Sequence, residues 1–263
     1  MDIVTRSGGD LELTVLGSGT SVPQSDRSAP GYFIGTDSGS ILLDLGPGTI
    51  WNLARLVGIG PGAVNGVLLS HLHLDHCSDL ASLLFSMRSP EIDRDSPLRV
   101  LGPAGLKDYY GSLRGIYGHW VEPAGYDLLL EEWDGDIREW EGFRISAAPT
   151  IHSIPNIAFL VQDMESGSRC LYTGDGEPTE ELVGLAGSGI EVLVAESSLA
   201  PGIEEENHMN PAQAAGLATR CMTRKLILTH LNPGCRPDDV YQDAVGHFEG
   251  EIVIASDGMT ISF

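Results

Sequence analysis

Ser70-His71-Leu72-His73-Leu74-Asp75-His76 places three histidines and one aspartate within six positions, at the end of an apolar stretch, Val64 to Ser70, that reads as a buried strand. Imidazole nitrogens and carboxylate oxygens are ligands that zinc, manganese and iron accept. The chain holds eight histidines in all, and a cluster of this density needs a partner, because buried polar groups are satisfied. In this pattern Leu72 and Leu74 are expected to anchor the loop while the residues between them face a pocket.

Outward from this run, short strands and helices alternate in both directions. Before it, Leu11 to Leu16, Tyr32 to Ile34 and Ser40 to Leu45 read as strands, and Thr49 to Val57 as a helix stopped by Gly58. After it come a helix over Asp79 to Met87, a strand over Leu98 to Leu101 and a helix over Gly105 to Tyr117. The second half repeats the theme. Strands are expected at Phe143 to Pro149, Ile157 to Asp163, Arg169 to Thr173, Val192 to Ala195, Lys225 to Thr229 and Ile252 to Ala255. Helices are expected from Thr179 to Ala186 and from Asn210-Pro211 to about Met222, the latter opened by a capping Asn followed by Pro. No linker or repeat divides the 263 residues, so one domain over residues 1–263 is expected. Strands in both halves suggest two sheets packed face to face under helices, and this pattern alone does not separate α/β from α+β.

Composition excludes several function classes. With 37 acidic and 15 basic residues the formal charge is −22, against a broad nucleic-acid footprint or an anionic membrane surface. The cysteines Cys77, Cys170, Cys221 and Cys235 form no C-x-x-C pair, which disfavours a thiolate zinc site and predicts free thiols in a reducing compartment. Met1 to Asp10 lacks an apolar core and does not read as a signal peptide, and no apolar run approaches membrane-spanning length, so a cytoplasmic location is expected. Gly17-Ser18-Gly19 is not a dinucleotide fingerprint, since Val22 stands at its third Gly position.

The H-x-H-x-D-H run resembles the motif of the metallo-β-lactamase superfamily, and the resemblance extends over almost the whole chain. It implies an α/β fold, the αββα sandwich of two mixed sheets flanked by helices, with later ligands arriving at strand ends in a fixed order. His152, Asp175 in Thr173-Gly174-Asp175, and His230 in Leu228-Thr229-His230 match them. By this resemblance one divalent metal ion is held by His71, His73 and His152, and a second by Asp75, His76 and His230. Asp175 bridges them through its two oxygens. Asp44, in Leu42-Leu43-Asp44-Leu45-Gly46, matches a group that orients a ligand loop without ligating. Zinc is the expected metal, with manganese or iron as alternatives.

Within the superfamily the chain looks most like the ribonuclease Z-like and cyclic phosphodiesterase branch. Leu16-Gly17-Ser18-Gly19-Thr20-Ser21-Val22-Pro23 and Asp44-Leu45-Gly46-Pro47-Gly48-Thr49 are similar to its loops, as is His208 ahead of the Ala-rich helix at Asn210-Pro211. Ser256-Asp257-Gly258-Met259 resembles the end of the branch's cyclic phosphodiesterases. The resemblance makes His208 catalytic with Glu196 supporting it, although Ala195 replaces the family's histidine beside that glutamate. The implied chemistry is hydrolysis. Two divalent ions sharing a ligand bring a water to ionise near neutral pH, and the hydroxide attacks phosphorus. Asp75 takes a proton from the water, and His208, oriented by Glu196, gives one to the leaving alkoxide.

The branch's transfer-RNA enzymes carry a long Gly- and Pro-rich arm and a basic surface. The ligand-free stretch Glu91 to Asp136 is acidic instead. A small or cyclic phosphodiester, such as a cyclic nucleotide or cyclic phosphate, is therefore the expected small-molecule substrate, with nucleic acid disfavoured and no membrane partner. The alternatives are a ribonuclease Z-type tRNA 3′-end endonuclease and a lactone, thioester or sulfate hydrolase on the same fold. By resemblance alone a homodimer is expected. His119, Trp51, Tyr32, Arg27 and Arg88 are weaker candidates for substrate contact, and His247 has no assigned role.

Overall fold

Fourteen strands, most of them short and apolar, build the computed structural model, which describes residues 11–92 and 94–263. The reading of Met1 to Asp10 lies outside the described residues. The first half forms β1 (Glu12–Gly17), β2 (Gly31–Gly35), β3 (Ser40–Leu43), β4 (Gly66–Leu68), β5 (Leu98–Gly102) and β6 (Leu128–Glu132). The second forms β7 (Arg138–Trp140), β8 (Phe143–Thr150), β9 (Asn156–Asp163), β10 (Arg169–Tyr172), β11 (Ile190–Glu196), β12 (Thr223–Thr229) and β13 (Glu251–Ile254). A last strand, β14 (Thr260–Ser262), returns to pair with β1.

The strands make two seven-stranded sheets, one from the first half completed by β14 and one from the second, in the orders β14-β1-β2-β3-β4-β5-β6 and β13-β12-β11-β10-β9-β8-β7. Both are mixed. Pairing is antiparallel from β14 to β3 and from β7 to β10, and parallel from β3 to β6 and from β10 to β13. The parallel strands alternate with helices α1 (Thr49–Asn52, continued by a wide turn over Leu53–Val57), α2 (Leu74–Cys77), α3 (Asp79–Ser86), α4 (Leu106–Tyr117), α5 (Glu180–Ala186), α6 (Pro211–Arg220) and α7 (Pro237–Val245).

Side-chain alternation explains why these strands are apolar throughout. Cys170, Tyr172, Val192 and Val194 enter the layer between the sheets, with Leu13, Ile34, Leu43, Phe143 and Phe159. Their neighbours Leu171, Leu193 and Ala195 face the other way, against Leu182, Leu217 and Val240 of α5, α6 and α7. On the far side, Leu16, Phe33, Leu42 and Val67 pack on Ile50, Leu80, Leu83 and Leu106. Strands buried on both faces read as continuous apolar runs. The result is the expected αββα sandwich of two mixed sheets flanked by helices.

The expected elements form, with ends shifted by a few residues. Helix α6 carries a reciprocal cap: Gln213 N donates to Asn210 Oδ1 and Asn210 N to Gln213 Oε1, both at 2.9 Å. It stops at Arg220, ahead of Met222, which takes a left-handed φ of 49°. Five further elements, α2, β6, β7, β14 and α7, fall where no strand or helix was expected. β6 and β7 sit at sheet edges and β14 is three residues long. Helix α7 buries only Val240 and Ala244. All four cysteines are free thiols, and among the described residues no helix is long and apolar enough to cross a membrane.

The loop opened by Gly17-Ser18-Gly19 is tied to the end of the chain. Asp257 Oδ1 accepts from Ser18 N at 3.0 Å and Ser18 Oγ at 2.8 Å, and its Oδ2 accepts from Ser28 N at 2.7 Å. Arg27 donates to Ser18 Oγ and Ala255 O, and Ser18 O accepts from Leu231 N. This loop thus joins β1 to the segment before β14 and to the neighbour of His230. Asp257→Ala leaves two backbone N–H groups without their acceptor. It is expected to lower unfolding free energy by about 2–3 kcal/mol, read from urea denaturation.

Candidate metal centre

The candidate site lies where strands end. His71 to His76 follow β4, Asp44 follows β3, His152 follows β8, Asp175 follows β10 and His230 follows β12, while Glu196 is the last residue of β11. β8 and β10 run the same way, each antiparallel to β9, and β10 to β12 are parallel, so their carboxyl ends share one rim.

Two groups of donor atoms converge there. His73 Nδ1 is 3.0 Å from His71 Nε2 and 3.3 Å from His152 Nε2. Beside them, His76 Nε2 is 3.3 Å from His230 Nε2, and each lies 3.6 Å from Asp75 Oδ2. Asp175 Oδ2 faces both groups, 3.5 Å from His76 and His230 Nε2 and 3.9 Å from His71 Nε2. Tetrahedral ligands at zinc–nitrogen bond lengths lie about 3.3 Å apart, so these separations suit the edges of a coordination shell.

Protonation supports the same fit. His76 Nδ1 donates to Asp44 Oδ2 at 2.7 Å and His152 Nδ1 donates to Asn207 O at 2.9 Å. Ser70 Oγ gives its proton to Asp44 Oδ2, so at 3.0 Å it accepts from His71 Nδ1. In each neutral ring Nε2 is then a bare lone pair aimed at the cluster. Asp175 Oδ1 is buried with no hydrogen-bond partner, a carboxylate oxygen free for a cation. Burial, reinforced by neighbouring histidines, lowers the pKa of His71 and of His73 and favours their neutral, ligating forms. At His76 burial is outweighed by Asp175 and Asp44, which raise its pKa, while His230 and His76 outweigh burial to lower that of Asp175. The carboxylates that favour a proton on His76 equally favour a divalent cation at its Nε2. His/Asp clusters able to hold divalent metal ions are therefore present.

The ligand loop is fixed by backbone contacts more than by its leucines. Leu72 is half-buried, but Leu74 is 74% exposed, so the expected second anchor is absent: α2 starts at Leu74 and replaces strand alternation with helical periodicity. The anchors are Leu45 N, donating to His76 O at 2.7 Å, and the close approach of Gly46, whose added Cβ would fall 2.1 Å from Asp75 O. Asp79 Oδ2 accepts from Gly48 N and Ile50 N and so shapes the Asp44 to Thr49 loop. Gly174, at φ 60°, passes Ser70 so closely that a Cβ would meet Ser70 Cβ at 2.6 Å.

Glu196 and His208 form a pair at the edge of these groups. His208 Nδ1 lies 3.0 and 3.2 Å from the two Glu196 oxygens. Glu196 is 1% exposed and also accepts from Gly176 N at 2.7 Å and Ser198 Oγ at 2.5 Å. Burial opposes a charged His208, but Glu196 outweighs it and raises the pKa above the ordinary histidine value. The His208 ring stacks parallel to that of His230 at 6.4 Å and meets His152 edge-on at 5.2 Å.

The weaker candidates are engaged elsewhere. Arg27 is bound to Ser18, and Arg88 donates to Glu122 O and lies over Trp120. Tyr32 OH pairs with Thr229 in the core, His119 packs on Trp120, and Trp51 is 79% exposed. Sequence reading missed Ser70 and Asn207, which accept from His71 and His152 Nδ1, and Tyr172, which donates to Asp44. Only Ser70 carried a local signal, as the residue that opens the motif.

Known proteins share this architecture. The family described as Beta-lactamase superfamily domain matches residues 40–231. A ribonuclease Z of Mycobacterium bovis (strain BCG / Pasteur 1173P2) is 28% identical over 276 residues, covering 94% of this chain and 96% of its own. The uncharacterized protein Rv1339 of Mycobacterium tuberculosis (strain ATCC 25618 / H37Rv) is 30% identical over 247 residues, covering 92% and 88%. The crystal structure of the metallo-beta-lactamase fold protein YhfI from Bacillus subtilis superposes with a TM-score of 0.84 at 21% identity, over 97% of this chain and all of that one. By the family match and by its fold, the chain is a member of the metallo-β-lactamase superfamily, whose metal-dependent hydrolases include ribonuclease Z.

Proposed function

We propose that the chain is a dinuclear metal-dependent phosphodiesterase acting on a small or cyclic phosphodiester. His71, His73 and His152 would hold one ion, Asp75, His76 and His230 the other, and Asp175 both, with zinc expected and manganese or iron as alternatives. The reading includes a cytoplasmic homodimer, on resemblance alone. When bound, the ions would neutralise phosphate oxygens and make a water nucleophilic near neutral pH. Asp75, 13% exposed at the side chain, is the group placed to accept a proton from that water.

The observation that carries the phosphodiester reading is the His208–Glu196 pair. A ribose or alkyl oxygen leaves as an alkoxide and needs a proton, whereas a thiolate leaves unaided. His208 holds Nδ1 on Glu196, which leaves Nε2 to donate, and its raised pKa keeps the donating form populated closer to neutrality. Small size is supported by charge. Beyond the net −22, the exposed run Glu204-Glu205-Glu206 lies just ahead of Asn207 and His208, where it repels a polyanion. The segment from Glu91 to Asp136 folds into β5, α4 and β6 rather than into a projecting arm.

A second reading, a ribonuclease Z-type tRNA 3′-end endonuclease, is favoured by the 28% identity to the M. bovis ribonuclease Z over 94% of this chain. Turnover of bis(4-nitrophenyl) phosphate and cyclic nucleotides, set against a precursor tRNA and against lactone, thioester and sulfate ester panels, separates the readings. Hydrolysis confined to the lactone, thioester or sulfate panels would sink the phosphodiesterase proposal.

Elemental analysis of protein purified without chelator is expected to find two transition-metal ions per chain. Asp175→Ala should lose both under dialysis more readily than His152→Ala, because Asp175 Oδ2 faces both donor groups and His152 only one. Equal retention of both ions in the two variants contradicts the shared ligand.

His208→Ala is expected to keep its ions and fold while turnover of alkyl-leaving diesters falls roughly 10²–10⁴-fold. The loss should shrink for nitrophenolate, which needs no proton. For alkyl leaving groups, wild-type activity should decline as pH rises through the raised His208 pKa, because the protonated form is the active one. Glu196→Gln should show a weaker version, since its amide oxygen still accepts from His208 but brings no charge. Equal slowing of both leaving-group classes by His208→Ala would remove the proton-donor role.

A further inference from the structure

Three consecutive residues, Asp175 to Glu177, each contact a different part of the site. Asp175 faces both donor groups, and Gly176 N donates to Glu196 Oε1 at 2.7 Å. Glu177 N donates to Ile151 O at 3.1 Å, next to His152, and Glu177 Oε1 accepts from Asn207 N at 2.9 Å. Asn207 is the junction on the other side. Its carbonyl takes the Nδ1 proton of His152, its backbone is left-handed at φ 72°, and the next residue is His208. A non-glycine residue in that conformation costs of order 1 kcal/mol and persists only where neighbours hold it. Just before it, residues 201 to 206 are exposed, so the turn is held by Glu177 Oε1 on the Asn207 N–H and by His152 Nδ1 on the Asn207 carbonyl.

We infer that Glu177 is a positioning residue that couples the His152 side of the metal centre to the proton donor His208. Through Asn207 N it fixes the carbonyl that sets the His152 tautomer, and through the same turn it fixes where His208 begins. The inference rests on the dinuclear phosphodiesterase reading and deepens it. Without the acceptor, Asn207 relaxes out of the left-handed turn. His152 then loses its tautomer partner while His208 shifts against Glu196.

The test uses the full chain loaded with Zn²⁺ and three variants. Glu177→Ala should lose one ion to a competing chelator about tenfold more readily than wild type, with the second ion retained, the size seen for outer contacts of metal ligands. Its kcat should fall several-fold further for a diester with an alkyl leaving group than for bis(4-nitrophenyl) phosphate, at little changed KM. Glu177→Gln, which keeps the acceptor oxygen, should restore both properties. Glu206→Gln, which removes a neighbouring charge of the same sign, should change neither. Should Glu177→Ala not fold, Glu177→Met keeps the volume without the acceptor and is read in the same way. A Glu177→Ala chain that holds both ions like wild type, or slows both diesters alike, overturns the coupling, as does a Gln variant that fails to restore it. A wild-type chain that takes up no ions and hydrolyses neither diester sinks the dinuclear reading, and this inference with it.

Discussion

A carboxylate withdrawn from water costs several kcal/mol unless donors replace its hydration, and Asp44 is fully buried. Four donors replace it. Ser70 N reaches Oδ1 at 2.7 Å, while Ser70 Oγ at 2.7 Å, His76 Nδ1 at 2.7 Å and Tyr172 OH at 2.5 Å share Oδ2. Each comes from a different demand of the fold. Ser70 opens the ligand loop after β4, His76 closes it in α2, and Tyr172 ends β10 in the opposite sheet. Charge-assisted hydrogen bonds of this kind are among the stronger ones in proteins. The two sheets thus meet at the rim around one negative charge, and the donors that satisfy it are the groups that orient His71 and His76.

This arrangement demands unusual backbone. Asp44, Asn207 and His230 all hold positive φ, at 56°, 72° and 57°, and all three stand at the site. Asp, Asn and His tolerate the left-handed region better than bulkier side chains do. The bends let a strand end abruptly and turn its next side chain into the rim instead of continuing the alternation. Glu141 and Met222 adopt the same region in turns ahead of β8 and β12, away from the rim, and in each case the surrounding scaffold holds the strained residue against relaxation.

The residues that cluster at the candidate site were legible because their chemistry is local or repeats a rule. His71, His73, Asp75 and His76 sit in one heptapeptide, and His152, Asp175 and His230 each follow an apolar run that reads as a strand. The groups that orient them were not legible, because their partners are set by packing between sheets. Tyr172 reaches Asp44 across 128 positions of sequence, and His152 reaches Asn207 across 55. Leu74 was misread because a strand-like alternation was extended into a helix. The edge strand β7 is three residues long with one buried side chain, and β6 opens on Leu128-Leu129-Leu130 but is only half-buried along its length and ends in two glutamates. Gly46 and Gly174 stood in motifs, but only the folded distances to Asp75 and Ser70 say why no larger residue fits.

The sheet orders carry a consequence for how the molecule comes together. Apart from β14, each sheet is completed by its own half of the chain, in nearly sequential order. The two groups proposed to hold ions, by contrast, are split between the halves: His71 and His73 await His152, and Asp75 and His76 await His230. During synthesis from the amino end, the first sheet can pair its strands while each proposed ion site still lacks Asp175 and one histidine. If the proposed ions bind there, an ion captured afterwards would clasp two already ordered layers, and its binding would stabilise their docking rather than the formation of either layer.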